Sequence, residues 1–504
     1  NSAADLTDFF IDLDAIAIGF MLFQLILQRA IPNGGASPLN LHSMSRSITL
    51  VALVIVTALS QFAAGAVSPS PRPEGSRIYN GKSVYLPADL ASNDFSDPAS
   101  KWSFARMAQT ENVVLFWADG FGANPAKAPD LDGHNMKVDI NNLLARLEQF
   151  FRFFYSDLAW VKPGSNADSL KMMAMLDYSL EGTAYGGDYD GQIGALWITP
   201  NRVQDDKLNC IAHELGHSFQ SQITCDGEGM AWGGHGIFEM ASQWMLWQVN
   251  PDWPTDEKYH LDAFRNLTHK AFLHIDNIYH SPYVLECWGE LHGPGFIAEL
   301  FRQGRTDEDP VMTYKRMCSM GQEQFNDEMF RQQSRFVNWD FDRTRANMRP
   351  YANLWSTPLE PVGRNRYRVP VAVAPENYGF NFIELTTPAP GTGVTVDFKG
   401  ETALKGYHNV NPSKAGWRYG FIAVDADGNT VYCPMHSSRS GRLSYTAPEG
   451  APLQHLWLMV MGAPTEHWRN VDGPENPGDA QWPYTLTFRT GAPKAVADGG
   501  SDKR

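Results

Sequence analysis

The sequence predicts an α+β protein: a mainly helical N-terminal domain, residues 105–348, followed by an all-β sandwich, residues 360–490. Three observations predict it. Apolar residues recur at helical spacing in Ile140 to Trp160 and through most of 205–330. After Pro350 the chain changes to short alternating or β-branched runs (YRVPVAV, NFIEL, GVTVDF, YGFIAVD, TVYC, LWLMVM, YTLTF) separated by Gly, Pro, Asn and Asp, the rhythm of a sandwich. Finally, 504 residues at 43% hydrophobic and 12% aromatic content hold enough apolar material for one large or two ordinary domains, which excludes a disordered or collagen-like chain.

Taken in order, the chain first shows processing signals. Met44, the basic start Ser45-Arg46-Ser47, the apolar run Ile48 to Leu59 and the small-x-small Ala64-Gly65-Ala66 read residues 44–66 as a signal peptide. The apolar run is shorter than the roughly 20 residues that a bilayer span needs. Residues 1–43 then lie upstream of the native start. The competing reading makes Ala15 to Leu27 a membrane anchor, but that run is short and contains Gln24. The expected protein is secreted, extracellular or periplasmic, with no stable membrane insertion after processing. Asp and Glu (56) exceed Lys and Arg (41), so no broad phosphate-neutralising surface is expected and nucleic acid is excluded as a partner.

Residues 67–104 are Ser/Pro/Asp-rich without apolar periodicity and read as a linker. Val113 to Trp117 is a β-rich run ended by Asp119-Gly120. In Ile140 to Trp160 the apolar residues at 140, 143, 144, 147, 150, 151 and 154 share one helical face. A Gly-rich stretch, Gly186 to Gly191, leads to a strand at Ile193 to Ile198. Asp425-Ala426-Asp427-Gly428-Asn429 sits between two strand runs and reads as a hairpin turn, lacking the further ligands of a calcium loop. Residues 491–504 form a polar tail.

The chemistry concentrates in His213-Glu214-Leu215-Gly216-His217, within a predicted helix from Asp205 to Gln222. Histidines four apart share a helical face, so both imidazoles can reach one zinc ion while Glu214 lies beside them, placed to move a proton. Leu208, Ile211, Leu215 and Phe219 give the helix an anchoring face, and Asp205 and Asp206 suit its N-terminal end. Glu239, opening the predicted helix Gly236 to Val249, is a candidate third ligand. Two imidazoles and one carboxylate leave a fourth position open, as catalytic zinc requires.

His213-Glu214-Leu215-Gly216-His217-Ser218-Phe219-Gln220 resembles the HExGHxxQ string of the enhancin-like, mucin-directed peptidases among the gluzincins, the zincins with a glutamate ligand. The resemblance implies a zincin-like catalytic domain with Zn2+ on His213, His217 and Glu239, Glu214 as general base and acid, and a protein or glycoprotein substrate. It covers residues 191–250. The chain as a whole looks like a group of secreted bacterial proteins known mainly as a domain of unknown function. Gln220 and Ile223 stand where metzincins require Gly and His, which excludes that class. Where thermolysin-like gluzincins carry an Asp four residues after the glutamate ligand, this chain has Gln243, whose carbonyl can still accept an imidazole N–H.

Other readings stay open at this level. His235, Asp226 and Glu228 are also ligand types near the motif, and Tyr279, His280, Tyr283 and His292 form a polar stretch read as structural. Cys210 with Cys225, and Cys287 with Cys318, are candidate disulfides or free thiols. Trp232, Trp244, Trp247 and Trp253 either line a cleft or fill a core. The strand before the motif is expected to be the edge on which an extended substrate pairs. A zinc hydrolase acting on a glycan or ester, or a non-catalytic protein binding carbohydrate or a surface through its C-terminal domain, are the alternative functions.

Overall fold

The computed structural model describes residues 77–79, 81–229, 232, 236–450, 452–469 and 479–496, all within the compact unit Val67–Arg504. The expected upstream segment and signal peptide, and His235, lie outside the described residues. No helix among the described residues is long and apolar enough to cross a membrane.

Strands β1 (Arg77–Tyr79) and β2 (Lys82–Val84) form a hairpin whose Ser83 bonds the main chain of Ser169 and Lys171. The 67–104 linker is therefore corrected over its described part. Val84, Tyr85, Phe95 and Trp102 are buried in the main core, and Phe95 packs edge-on against Phe116 at 5.3 Å. These residues anchor a loop one contact at a time, so their spacing shows no period.

A five-stranded sheet carries the N-terminal half: β3 (Met107–Gln109), β4 (Val113–Trp117), β5 (Met172–Leu176), β6 (Tyr185–Tyr189) and β7 (Ile193–Ile198), in the order β3-β4-β5-β7-β6. β4, β5 and β7 run parallel, and β3 and β6 pair antiparallel at the two edges. Every residue of β4 and β5 is buried, as expected of central parallel strands covered on both faces. Helix α1 (Ile140–Arg152) joins β4 to β5. Asp139 caps it by accepting from the Asn141 and Asn142 N–H groups, and Leu143, Leu144, Leu147, Phe150 and Phe151 form its buried stripe.

After β7 come α2 (Asn209–Cys225), α3 (Ile237–Val249), α4 (Trp253–Asp256), α5 (Lys258–Leu267), α6 (Tyr283–His292), α7 (Phe296–Gln303), α8 (Pro310–Met317), α9 (Gln322–Ser334) and α10 (Arg345–Met348). Trp232, Trp244, Trp247 and Trp253 are each at most 1% exposed, so they belong to this core and line no cleft.

The C-terminal half is two packed antiparallel sheets. One has the order β10 (Phe380–Leu385), β15 (Leu453–Gly462), β12 (Trp417–Asp425), β13 (Thr430–Tyr432); the other has β14 (Ser440–Thr446), β11 (Gly393–Gly400), β16 (Tyr484–Thr490), β9 (Arg366–Arg368), β8 (Glu360–Gly363). The expected hairpin turn stands between β12 and β13, where Asp425 Oδ1 accepts from the Asp427 and Asn429 N–H groups. Tyr419, Phe421 and Ala423 of β12 face the sandwich interior, whereas Ile422 and Val424, with Trp457, Met459 and Met461 of β15, enter the core of the helical half.

The helical half and the sandwich therefore share one core. The change of hydrophobic period does fall where β8 begins. Strands β10, β12 and β15 of the four-stranded sheet are buried on both faces, and Arg418 (2% exposed) pairs with Glu323 at 2.6 Å and Asp327 at 2.7 Å on α9. Nor is the expected polar tail free from its start: Lys494 N–H donates to the Glu384 carbonyl and Val496 bridges to Leu359.

His269 lies at this junction, its carbonyl accepting from Glu376 N–H. Burial first, then the Lys270 and His274 charges, lowers its pKa from the ordinary 6.5 to about 4. A depressed imidazole contributes stability that is present above about pH 6.5 and lost as pH falls toward 4. His269→Asn is therefore expected to flatten the acid limb of a urea-midpoint profile between those values. Parallel profiles for the two proteins would contradict it.

Candidate metal centre

Helix α2 starts sharply. Leu208, in the left-handed region with φ 54°, turns the chain into it, and Ala212 N–H bonds the Leu208 carbonyl. Ile211, Leu215 and Phe219 face inward, with Phe219 against Phe151 at 5.1 Å. Ser218 Oγ donates to the Ala195 carbonyl (2.6 Å) and Gln222 Oε1 accepts from Gly194 N–H (2.9 Å), which docks the helix under β7. The opposite face presents His213, Glu214 and His217.

The strand ahead of the motif is not the edge. β7 lies between β5 and β6, so the free edge beside α2 belongs to β6. Its approach explains the Gly-rich sequence: a Cβ on Gly186 would stand 1.8 Å from the Glu214 carbonyl oxygen and 2.7 Å from His217 Cβ. Gly187 meets only the Trp197 ring, at the ordinary contact distance of 3.4 Å. Gly186→Ala is accordingly expected to cost about 1–3 kcal/mol or more by overpacking, and Gly187→Ala clearly less. Denaturation midpoints check this, and equal losses would contradict it.

Helix α3 crosses α2 closely at Gly216, where an added Cβ would lie 2.9 Å from Ser242 Oγ. That crossing brings Glu239 to the two imidazoles. Glu239 Oε2 is 3.1 Å from His213 Nε2 and 3.2 Å from His217 Nε2, and the two Nε2 atoms are 3.1 Å apart. The rings stand nearly perpendicular, 81° between planes. A Glu214 oxygen lies within 4.8 Å of ligating atoms of both histidines.

Hydrogen bonds on the far sides of the rings settle their tautomers. Gln220 Nε2 donates to the Phe238 carbonyl (2.9 Å), so its Oε1 faces His217 Nδ1 at 3.2 Å and accepts a proton from it. Gln243 Nε2 donates to the Tyr279 carbonyl (3.4 Å), so its Oε1 faces His213 Nδ1, also at 3.2 Å. Both imidazoles thus carry N–H at Nδ1 and turn Nε2 toward the point where Glu239 directs a carboxylate oxygen.

Three such donors at these distances are spaced to share a cation, either a proton or a metal ion. Atoms bound about 2.0–2.1 Å from a tetrahedral zinc would lie roughly 3.3 Å apart, close to the spacing here. The electrostatics agree. Burial opposes charge on Glu239, but the two imidazoles outweigh it and hold the carboxyl well below the usual range. Burial likewise opposes charge on His217, but Glu239 outweighs it and holds the imidazole up at about 9. The pocket favours positive charge at the convergence point, which a dication supplies more fully than a proton. Two nitrogens and one oxygen suit zinc.

Glu214 differs from Glu239. Burial raises its pKa, opposed by the two histidines, and the Gly186 N–H faces its carboxylate.

Of the other ligand types, Asp226 accepts from Asn166 N–H and Gln222 Nε2, and Glu228 pairs with Arg302 at 2.9 Å, both away from the imidazoles. The five cysteines are free thiols. Cys210 and Cys225 sit 15 residues apart on one helix, roughly 22 Å, which no disulfide spans. The sequence names Gly186, Gln220 and Tyr279 without assigning them to the site; the Tyr279 ring centroid is 6.2 Å from that of His213.

Comparison with solved structures finds distant likenesses. The M60 catalytic domain of Clostridium perfringens ZmpC, solved in complex with the sialyl T antigen, is 12% identical, with 73% of this chain and 67% of that one covered at a TM-score of 0.27. A family 22 carbohydrate-binding module of Clostridium thermocellum Xyn10B is 13% identical, covering 23% and 65% at 0.14. The Yersinia pseudotuberculosis-derived mitogen is 11% identical, covering 27% and 89% at 0.16. Likenesses this distant carry no argument about function. No curated protein matches the chain. Residues 76–495, which contain the whole metal centre, match the family of unknown function DUF6055, and the chain belongs to that family.

Proposed function

We propose that the protein is a secreted zinc-dependent metallopeptidase that hydrolyses peptide bonds in protein or glycoprotein substrates. The observation that carries this reading is the convergence of His213 Nε2, His217 Nε2 and Glu239 Oε2 with the Glu214 carboxylate beside them. These three residues would hold the zinc, which when bound lowers the pKa of a water to about 7 and polarises a carbonyl oxygen.

The remaining work falls to the chain itself. Glu214 takes the proton of the attacking water and delivers it to the departing nitrogen. Burial raises its pKa toward the working pH, where a carboxylate shuttles protons most effectively. Gly186 N–H steadies the carboxylate. An extended peptide would add to the free edge of β6, its main chain running over the motif.

Digestion of casein and of mucin, followed by mass spectrometry, tests the reading. New N-termini that disappear with a chelator support it. New reducing sugar ends without new N-termini would replace it with glycan hydrolysis.

A further inference from the structure

The bond between Gln243 and His213 depends on how the Gln243 amide is turned, because a flip would set NH2 against the imidazole N–H. Two acceptors hold the turn. Gln243 Nε2 donates to the Tyr279 carbonyl (3.4 Å) and reaches His260 Nε2 at 3.3 Å. With His260 Nε2 as the acceptor of this bond, its proton sits on Nδ1 and is given to His280 Nδ1 at 2.8 Å; Glu257 Oε2, which accepts from Trp253 Nε1, stands farther from the same Nε2, at 3.5 Å. Burial lowers the His280 pKa to about 4, which keeps that ring neutral and able to accept. Gln243, His260 and His213 are 4%, 7% and 9% exposed, so bulk water does not substitute for these bonds. The Tyr279 carbonyl, Gln243, His260 and His280 thus form one hydrogen-bond chain ending on a proposed zinc ligand.

Taking the zinc reading above as its basis, we infer that His260 is a positioning residue of the metal centre: by accepting from Gln243 it holds the amide in the orientation that fixes the tautomer and ring of His213. In thermolysin-like gluzincins the corresponding place holds an Asp, whose two oxygens are alike and need no such partner. A neutral amide does need one, and His260, 17 residues along the chain on α5, supplies it.

The test measures zinc affinity by competition with a chromophoric chelator, alongside the thermal midpoint of the metal-free protein. His260→Leu is expected to weaken zinc binding by about 10- to 100-fold, the scale of outer-shell partners. His260→Gln, which restores an acceptor at the same reach, is expected to recover most of that loss even where both variants share a lowered thermal midpoint. In a Gln243→Ala background His260→Leu should weaken zinc no further. If H260L does not fold, H260A takes its place. Unchanged affinity in H260L, H260Q as weak as H260L, or the same loss in the Gln243→Ala background would each overturn the inference while leaving the zinc site standing. A wild-type protein that takes up no zinc would instead overturn the metal reading and this inference with it.

Discussion

Alanine at His213, at His217 or at Glu239 is expected to abolish stoichiometric zinc and peptidase activity together. Each substitution removes one of three donors that lie 3.1–3.2 Å from one another, and with only two left the open fourth position no longer completes a tetrahedral set. The folded chain should survive, because α2 is anchored by Ile211, Leu215 and Phe219 on its other face and by Ser218 and Gln222 against β7. Glu239→Ala removes the charge that holds His217 protonated in the metal-free protein, so the His217 pKa should fall from about 9 in that variant. Metal analysis by mass spectrometry, a proteolysis assay and histidine NMR titration check the three parts. Full zinc occupancy in Glu239→Ala would exclude it as a ligand and make His235 the next residue to test.

Glu214→Gln is expected to separate binding from chemistry. It keeps the size of the side chain and leaves all three donors in place, so zinc content and thermal stability should stay near those of the parent protein. Turnover should fall by about 100-fold or more, the scale of a lost general acid–base group. The residual rate should also lose the acid limb of its pH profile, since an amide has no proton to gain. Undiminished activity in Glu214→Gln would remove the proton-transfer role even in a zinc-loaded protein.

What could be read from the sequence was whatever local spacing encodes. His213 and His217 share a face because an α-helix repeats every 3.6 residues, and α2 and α3 lie within a few residues of their expected bounds. Gln220, three residues after His217, shares that face too, so its hold on the ring was legible and overlooked.

The rest depends on contacts distant in sequence. YGGDY has neither alternation nor β-branching, yet it is the edge strand, because close approach to α2 demands glycine at 186 and removes the usual strand signal. The 77–104 segment lacks a period because it is held by isolated anchors such as Trp102. The second buried face of β12 and β15 was present in their continuous apolar runs. A run buried on both faces reads the same whether its second cover is a helix layer or another sheet, so the joined core escaped notice. His260 meets Gln243 only through the packing of α5 against the 277–280 turn.

X-ray absorption at the zinc edge of the purified protein tests the central claim most directly. Donation by His213, His217 and Glu239 predicts a first shell of nitrogen and oxygen alone at about 2.0–2.1 Å, with the outer-shell scattering of two imidazoles. Sulfur at about 2.3 Å would place the metal on thiolates such as Cys210 or Cys225 instead, and an absence of bound zinc in protein reconstituted at neutral pH would contradict the account outright.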